Sequence, residues 1–343
     1  MHVDTLGCAF GRVTDAAGNQ ATYDLPFTVD TDAPTVVFQT PAGATFKTTF
    51  PGIAFTSADS GAGVTLNECW LDNAAPASCT TASDTGGART EQLSNVPQGA
   101  HTLHVRVTDG AGNQTTSELA FEVDSVAPTT TMTKPTAPIT VSRAVTAAWS
   151  GTDSGSGLQS FSVRSRRAPF NSGFTAFSTP ITAPAATTNR MYGSLALGST
   201  YCWSARATDN AGNTAGTWSA ERCTAIPLDD RQLTRSPGWT ATTPAGWFQS
   251  TGLSTSTQGA TLSMSGVAFK RVGVIAVTCP TCGRVAITLG GEEIGRINLA
   301  ADTTSKQIKT LPVFSSLRSG KVAIRVLTDD KPVRIDALAV SRL

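Results

Sequence analysis

VTDGAGN, residues 107–113, is one of three near-copies of a single phrase. VTDAAGN runs from Val13 to Asn19, and ATDNAGN from Ala207 to Asn213. The motif aspartates stand at 15, 109 and 209, so the spacings are 94 and 100 residues. A period near 100 is too long for a solenoid repeat and suits one small β-sandwich per copy. Counting back from each Asp, positions −2, −4 and −6 are apolar or small: Val107, Val105 and Leu103 in the second copy, Ala207, Ala205 and Trp203 in the third. Position −3 is Arg12, Arg106 or Arg206. Alternation with period 2 marks a strand with one face in a core. The D-x-A-G-N phrase itself is turn chemistry: Asp and Asn bond to their own backbone and Gly supplies positive φ. Each copy therefore reads as the tip of a hairpin.

The rest of the chain agrees with an all-β reading. Short alternating runs such as Val322–Leu327 recur between Gly, Pro, Asn and Asp, and no long helical period appears. A length of 343 residues allows two to four domains. No stretch of 18 apolar residues is present, so no membrane-spanning helix is encoded. Residues 1–226 carry 12 Lys and Arg against 17 Asp and Glu, a net of −5, and residues 227–343 carry 14 against 8, a net of +6. The mild basic excess lacks the dense Lys/Arg stripe and interleaved aromatics of a nucleic-acid binder, so no nucleic-acid partner is expected.

Seven cysteines are present. Cys202 and Cys223 lie symmetrically about the ATDNAGN turn, which makes them cross-strand neighbours within disulfide reach. Cys69 and Cys79 bracket LDNAAPAS in the same manner. Two such pairs point to an oxidising compartment, extracellular or periplasmic, and an extracellular or cell-surface protein is expected. The first residues, MHVDT, carry neither a basic region nor an apolar core, so no signal peptide is read there. The first motif arrives after a single strand. Residues 1–30 therefore read as the C-terminal half of a truncated Ig-like domain, and Cys8, which aligns with Cys202, has Val29 where its partner would stand.

Two further loops repeat. Ser57-Ala-Asp-Ser-Gly-Ala-Gly-Val64 follows Ile53–Phe55, and Gly151-Thr-Asp-Ser-Gly-Ser-Gly-Leu158 follows Val145–Trp149, each at the place of a B–C loop. With Cys69–Cys79 and Gly99–Asn113, the segment 31–125 resembles bacterial Ig-like repeats of secreted and surface proteins. The run Leu195–Tyr201 resembles the tyrosine corner of fibronectin type III domains, in which Tyr201 would open strand F and bond back to the backbone, so 126–226 is read as a fibronectin type III-like domain. His101 holds the same slot in the preceding domain.

The repeated Asp has two readings. One is turn chemistry alone. The other is calcium: Asp30 and Asp32, Asp59, and Asp109 with Asn113 would meet at one end of a sandwich. Asp124, Asp153, and Asp209 with Asn213 form the corresponding second set. Hard oxygen ligands from three segments suit Ca²⁺.

From Pro227 the style changes. About eight strands in 227–343 suit a jelly-roll sandwich, and the order of Arg284–Gly291, Glu292–Leu299, Gly320–Val326 and Val333–Val340 resembles galactose-binding-like β-sandwich modules appended to secreted actinobacterial proteins. Cys279-Pro-Thr-Cys282 lacks the second Cys pair of a zinc ribbon and reads as a hairpin tip closed by a local disulfide or as two free thiols. Trp239, Trp247 and Phe248 are open to two readings, a sugar-stacking face or core filling.

No catalytic residue is assigned. The histidines are His2, His101 and His104, and no Ser-His-Asp or Cys-His grouping can be built on them. The expected function is a non-catalytic modular protein. Its stalk-like repeats would accompany a C-terminal module for adhesion or for binding a polysaccharide, a cell-surface glycan or another surface protein. The alternative is an accessory region of a secreted hydrolase whose catalytic domain lies upstream.

Overall fold

The computed structural model describes residues 5–80, 86–244 and 246–343; side chains are described for all of these except 5–10 and 28. His2 and the Cys8 side chain lie outside the described residues. The chain divides into two compact units, one of residues 1–127, 153–157 and 209–213, the other of the remainder.

In the first unit, β1 (Thr5–Thr14) and β2 (Gln20–Val29) form a two-stranded antiparallel hairpin around the first motif. The next strands are β3 (Thr35–Phe38), β4 (Ala44–Phe46), β5 (Gly52–Ala58), β6 (Val64–Leu71), β7 (Ala77–Ser78), β8 (Gly87–Gln92), β9 (Gly99–Asp109) and β10 (Gln114–Val123). They make two sheets, ordered β4-β10-β9-β6-β7 and β3-β5-β8. The alternation read in 102–107 is realised in β9, where Leu103, Val105 and Val107 are fully buried while His104 and Arg106 face outward. They meet Ile53 and Phe55 of β5, also fully buried, and Leu119, Phe121 and Val123 of β10 complete the core. β4 runs parallel to the end of β10, with Phe46 opposite Val123.

β1–β2 has the same register logic as β9–β10. Val13 pairs with Ala21 and Ala9 with Leu25, as Val107 pairs with Thr115 and Leu103 with Leu119. Leu25, Phe27 and Val29 thus hold the places of Leu119, Phe121 and Val123. Yet they are 58%, 46% and 43% exposed, whereas their counterparts are at most 3% exposed.

In the second unit, β11 (Thr129–Lys134), β12 (Val145–Thr152), β13 (Leu158–Pro169), β14 (Ile181–Pro184), β15 (Asn189–Tyr192), β16 (Ser199–Asp209) and β17 (Arg222–Ile226) form sheets β11-β12-β15 and β14-β13-β16-β17. Trp149, Phe161 and Trp203 fill the space between them. On the outer face of β13 and β16, Arg164 lies between two rings, 3.6 Å from the Phe177 centroid and 4.0 Å from that of Trp218. Arg166 lies over Phe174 and Phe177, and Arg206 over Trp218. This alternation of cations and rings fastens the strandless segment around Phe174 and Phe177 to the sheet.

The remaining strands are β18 (Leu228–Asp229), β19 (Thr234–Arg235), β20 (Thr240–Thr242), β21 (Gly252–Thr255), β22 (Thr261–Phe269), β23 (Arg271–Thr278), β24 (Arg284–Leu289), β25 (Glu292–Asn298), β26 (Ser305–Thr310), β27 (Arg318–Val326) and β28 (Val333–Ser341). They build an antiparallel sandwich of β20-β21-β28-β23-β26, with β18 added on β28, against β19-β22-β27-β24-β25. More strands form here than the eight or so read from sequence: β18 and β19 are pieces of two residues, too short for alternation to register, and β21 and β26 were not singled out in the sequence. Residues 279–282 are not a hairpin tip. β23 is already flanked by β26 and β28, so β24 has no edge to join there and lies in the opposite sheet. The turn is a crossover between sheets. The second unit's inner cluster does not stop at residue 226: Met132, Trp149, Trp203 and Ile226 share it with Phe248, Ile275, Ala337 and Ala339.

Candidate functional site

The three motif turns share one hydrogen-bond set. Oδ1 of Asp15, Asp109 and Asp209 accepts the backbone N–H of Asn19, Asn113 and Asn213 at 2.9, 2.8 and 2.7 Å. Oδ2 accepts the Asn side-chain amide at 2.9, 2.8 and 2.9 Å. Gly18, Gly112 and Gly212 take φ of +89°, +94° and +87°, the left-handed region that glycine enters freely.

The second and third turns gather further carboxylates. One oxygen each from Asp30, Asp59 and Asp109 lies within 4.8 Å of the others, and the same holds for Asp124, Asp153 and Asp209. Asn113 Nδ2 also donates to the carbonyls of Asp30 and Asp32, and Asn213 Nδ2 to that of Asp124. Asp32 is half-buried and contributes its N–H, 3.0 Å from Asp30 Oδ1; its carboxylate is not in the group. Backbone N–H groups surround these carboxylates. Asp30 Oδ2 accepts from Ala62 at 2.6 Å, Asp59 Oδ2 from Gly61 and Gly63, and Asp153 Oδ2 from Gly155 and Gly157. Asp124 Oδ2 accepts both the N–H and the hydroxyl of Ser156. Burial works against ionisation of Asp109 and Asp124. Even so, the Asn113 amide and backbone on one, and Gln98 and Ser156 on the other, hold both below the usual aspartate value. Each place thus collects carboxylate oxygens from three chain segments. In the second group Asp153 Oδ1 is shielded from solvent and has no hydrogen-bond partner among the described residues.

Sequence reasoning missed two residues here. A Cβ at Gly61 would stand 2.3 Å from Asp30 Oδ2, and one at Gly155 would stand 2.4 Å from Asp124 Cγ. Neither glycine has positive φ. Their work is to leave room for the buried carboxylate. The matching Ser-Gly-x-Gly spelling of the two loops was the available signal.

Among the described residues three disulfides are formed: Cys69–Cys79, Cys202–Cys223 and Cys279–Cys282. Cys202 and Cys223 are directly opposed in the β16–β17 register, whereas Cys69 faces Ala77 and reaches Cys79 diagonally. The groupings of these cysteines with Glu91 or Glu221 are therefore disulfides beside an acid, with no thiolate to offer a metal.

Tyr201 makes a corner bond, its hydroxyl accepting the Ala196 N–H at 2.9 Å. His101 bonds from Nε2 to the Pro97 carbonyl at 3.0 Å and from Nδ1 to Asp72 at 2.8 Å. His104 stacks on Trp70 with centroids 5.1 Å apart and meets Glu118.

The three aromatics of the C-terminal sandwich do not share a face. Trp239 and Phe248 are core residues, 8% and 3% exposed, because their rings fill the interior of two different clusters. Trp247 alone is half-buried, beside a cleft of about 550 Å³. Next to it lies an acid absent from the sequence-derived set. Asp336 is fully buried, both its oxygens accept the Phe248 N–H at 3.0 Å, and Lys306 Nζ is 3.4 Å away. Burial pushes its carboxyl up, with the Phe248 N–H and Lys306 opposing.

None of the curated proteins compared with the chain matches it. Among solved structures, it is similar to the fibronectin(III)-like modules of Clostridium thermocellum CbhA, at 16% identity and a TM-score of 0.31 over 56% of this chain and 93% of that one. It is also similar to a tetra-tandem repeat in the extending region of a large adhesion protein, at 19% identity and a TM-score of 0.30 over 98% of this chain and 82% of that one. Carbohydrate-binding modules of the β-sandwich superfamily align at 10% identity and a TM-score of 0.23, over 92% of this chain and all of theirs. Scores this low leave the fold resting on the chain's own strands. Residues 46–125, from the end of β4 to just past β10, match the family model of the bacterial Ig-like domain.

Proposed function

We propose that the chain is a non-catalytic, extracellular modular protein in which Ig-like and fibronectin III-like sandwiches form a stalk-like region and the C-terminal sandwich binds a polysaccharide or cell-surface glycan. The observation that carries the reading is the same Asp-Asn turn built three times at a spacing of one sandwich, two copies lying in sandwiches with disulfide-linked strands. Repetition of a structural turn serves length and stiffness, and disulfides serve a protein outside a reducing compartment. The extracellular placing and the glycan are thus proposals that the disulfides and the Trp247 cleft support. The test is retention of the full chain on a panel of insoluble polysaccharides and on intact bacterial cells. No retention on either would overturn the binding role.

Calcium is a second reading, favoured by the two carboxylate groups and by the partnerless Asp153 Oδ1. Asp30, Asp59 and Asp109 would supply one ligand set and Asp124, Asp153 and Asp209 the other, each with neighbouring carbonyls. Ca²⁺ at about a hundred times its Kd would stabilise the folded chain by about 2.7 kcal/mol. A rise in melting temperature that Asp59→Asn and Asp153→Asn diminish is the expected result. An unchanged melting temperature in millimolar Ca²⁺ would discard it.

A further inference from the structure

The cleft beside Trp247 lies on the outer face of β20-β21-β28-β23-β26. Ser254 and Arg334 are opposed across β21 and β28, and Val277 and Lys306 across β23 and β26, so four adjacent strands contribute to one wall. Between them β28 carries a bulge: Ile275 pairs with Ala337 while Ala276 pairs with Ile335. Asp336 is the extra residue. A bulge re-aims one side chain out of the pleat, and here that side chain is the fully buried carboxylate.

Asp336 fastens the loop that carries Trp247. Its oxygens hold the Phe248 N–H, and Lys306, which it pairs with, donates to the Gly246 carbonyl. The Phe248 ring is anchored in the core behind. Gln249 and Ser250 then take φ of +52° and +61°, a left-handed pair without glycine. Such strain persists where the surroundings over-determine it, and it clusters at binding sites. On its other side Trp247 lies against β21, where a Cβ on Gly252 would fall 2.0 Å from its ring. The backbone is therefore fixed on both sides of Trp247, at Gly246 and Phe248, and the indole itself lies against Gly252.

The chemistry presented is cationic and hydroxylic. Lys306 and Arg334 line the cleft together with Thr242, Ser254 and Ser305, and the lining contains no carboxylate. Lys306 gives one donor to Asp336 and one to Gly246, which leaves a third of its three for a ligand. Arg334 is exposed and has no ion-pair partner among the described residues. An apolar ring with a few convergent polar groups in a preformed concavity is the general form of a small-ligand site. Two cations beside it select a ligand that carries an anion, and a guanidinium matches a carboxylate in two-pronged geometry.

We propose that this cleft is a subsite for an acidic polysaccharide, in which a uronate residue lies on Trp247 with its carboxylate between Lys306 and Arg334. Resting on the glycan-binding reading above, it adds the ligand's charge and the residues that read it. Trp247 and Arg334 are the contact residues; Asp336 and Gly252 are positioning residues.

The test is binding of the full 343-residue chain to polygalacturonate and to its methyl ester, which removes the charge and keeps the sugar. Polygalacturonate is expected to bind at least tenfold more tightly than the ester. Arg334→Gln and Trp247→Ala should each raise Kd at least tenfold, while Arg284→Gln, an exposed cation on the other sheet, stays within twofold. Arg334 is a surface residue, so that variant keeps the fold, and thermal melting of each variant verifies it. Equal binding of acid and ester overturns the proposal, as does an Arg284→Gln effect as large as that of Arg334→Gln. Binding to neutral glycans only, or acid binding indifferent to both cleft variants, ends the proposal and leaves the glycan-binding reading standing. No binding to any polysaccharide ends the proposal, and the glycan-binding reading falls with it when intact cells retain nothing either.

Discussion

A methyl group at Gly61 has nowhere to go, because Asp30 is short, buried and tied to two N–H groups. Gly61→Ala should cost about 1–3 kcal/mol, the usual range for overfilling a packed site, as read by denaturant unfolding. In an Asp30→Ala background that cost should largely vanish, since the obstructing carboxylate is gone. Gly63→Ala differs: nothing stands near its would-be Cβ, but its φ is +75°, so its cost should persist in either background. If Gly61→Ala costs the same with and without Asp30, close approach is not its role. These roles also mark how far the sequence could be read. The D-x-A-G-N turns were legible because Asp, Gly and Asn act on their own backbone within five residues. The room left by Gly61 was not, because the residue that needs it arrives from another part of the chain. Asp336 was hidden for the same reason: its partners Phe248 and Lys306 come from different segments, and nothing local marks a bulge.

Strand pairs and their staples obey simpler rules. The Cys202–Cys223 register was readable from symmetry about a turn, while the diagonal Cys69–Cys79 link was only approximately so, because β7 is two residues long. Residues 279–282 misled, since flanking strands look alike whether they pair or part. Replacing both Cys202 and Cys223 by Ala opens a loop of sequence separation 21 and should cost about 3 kcal/mol; the same change at Cys279 and Cys282, separation 3, should cost about half that. Urea titration of the two double variants decides the ranking. Two acids of the first sandwich should respond to pH with opposite sign. Burial opposes ionisation of Asp72, but the His101 bond and the Thr102 N–H outweigh it and set its carboxyl below the ordinary 3.8. Its contribution is therefore complete above that value and is lost as pH falls through the lowered one. Burial raises Glu91 above the ordinary 4.5, so the stability linked to it is present below 4.5 and lost as pH rises through the raised value. Asp72→Asn should lower the melting temperature at pH 7 and matter less at pH 3. Glu91→Gln should raise it or leave it unchanged at pH 7, with the advantage gone at pH 3. A loss at pH 7 from Glu91→Gln would contradict the burial argument.

Taken as a whole, the chain's architecture was the most legible level: three motif copies, short alternating strands and turn residues specify sandwiches whatever the loops do. The continuity of the second unit was not visible, because alanines such as Ala337 and Ala339 announce no interface in a sequence. With Ile226 fully buried in the same cluster as Phe248 and Ile275, a chain beginning at residue 227 would bare that surface. Such a fragment should melt well below the second unit of the intact chain and bind a hydrophobic dye when folded. A fragment as stable as the intact unit would show the shared cluster to be dispensable. The parallel pairing of β4 with β10 has a mechanical consequence. These strands lie near the two ends of the sandwich built by β3–β10 and run in the same direction, with Ala44, Thr45 and Phe46 beside Phe121, Glu122 and Val123. Tension drawn through those ends pulls the strands along one another, so their ladder bonds are loaded together, whereas an antiparallel hairpin opened from its tip yields one bond at a time. A chain pulled at both ends loads this three-residue clasp in shear, a resistance that equilibrium unfolding would hardly notice.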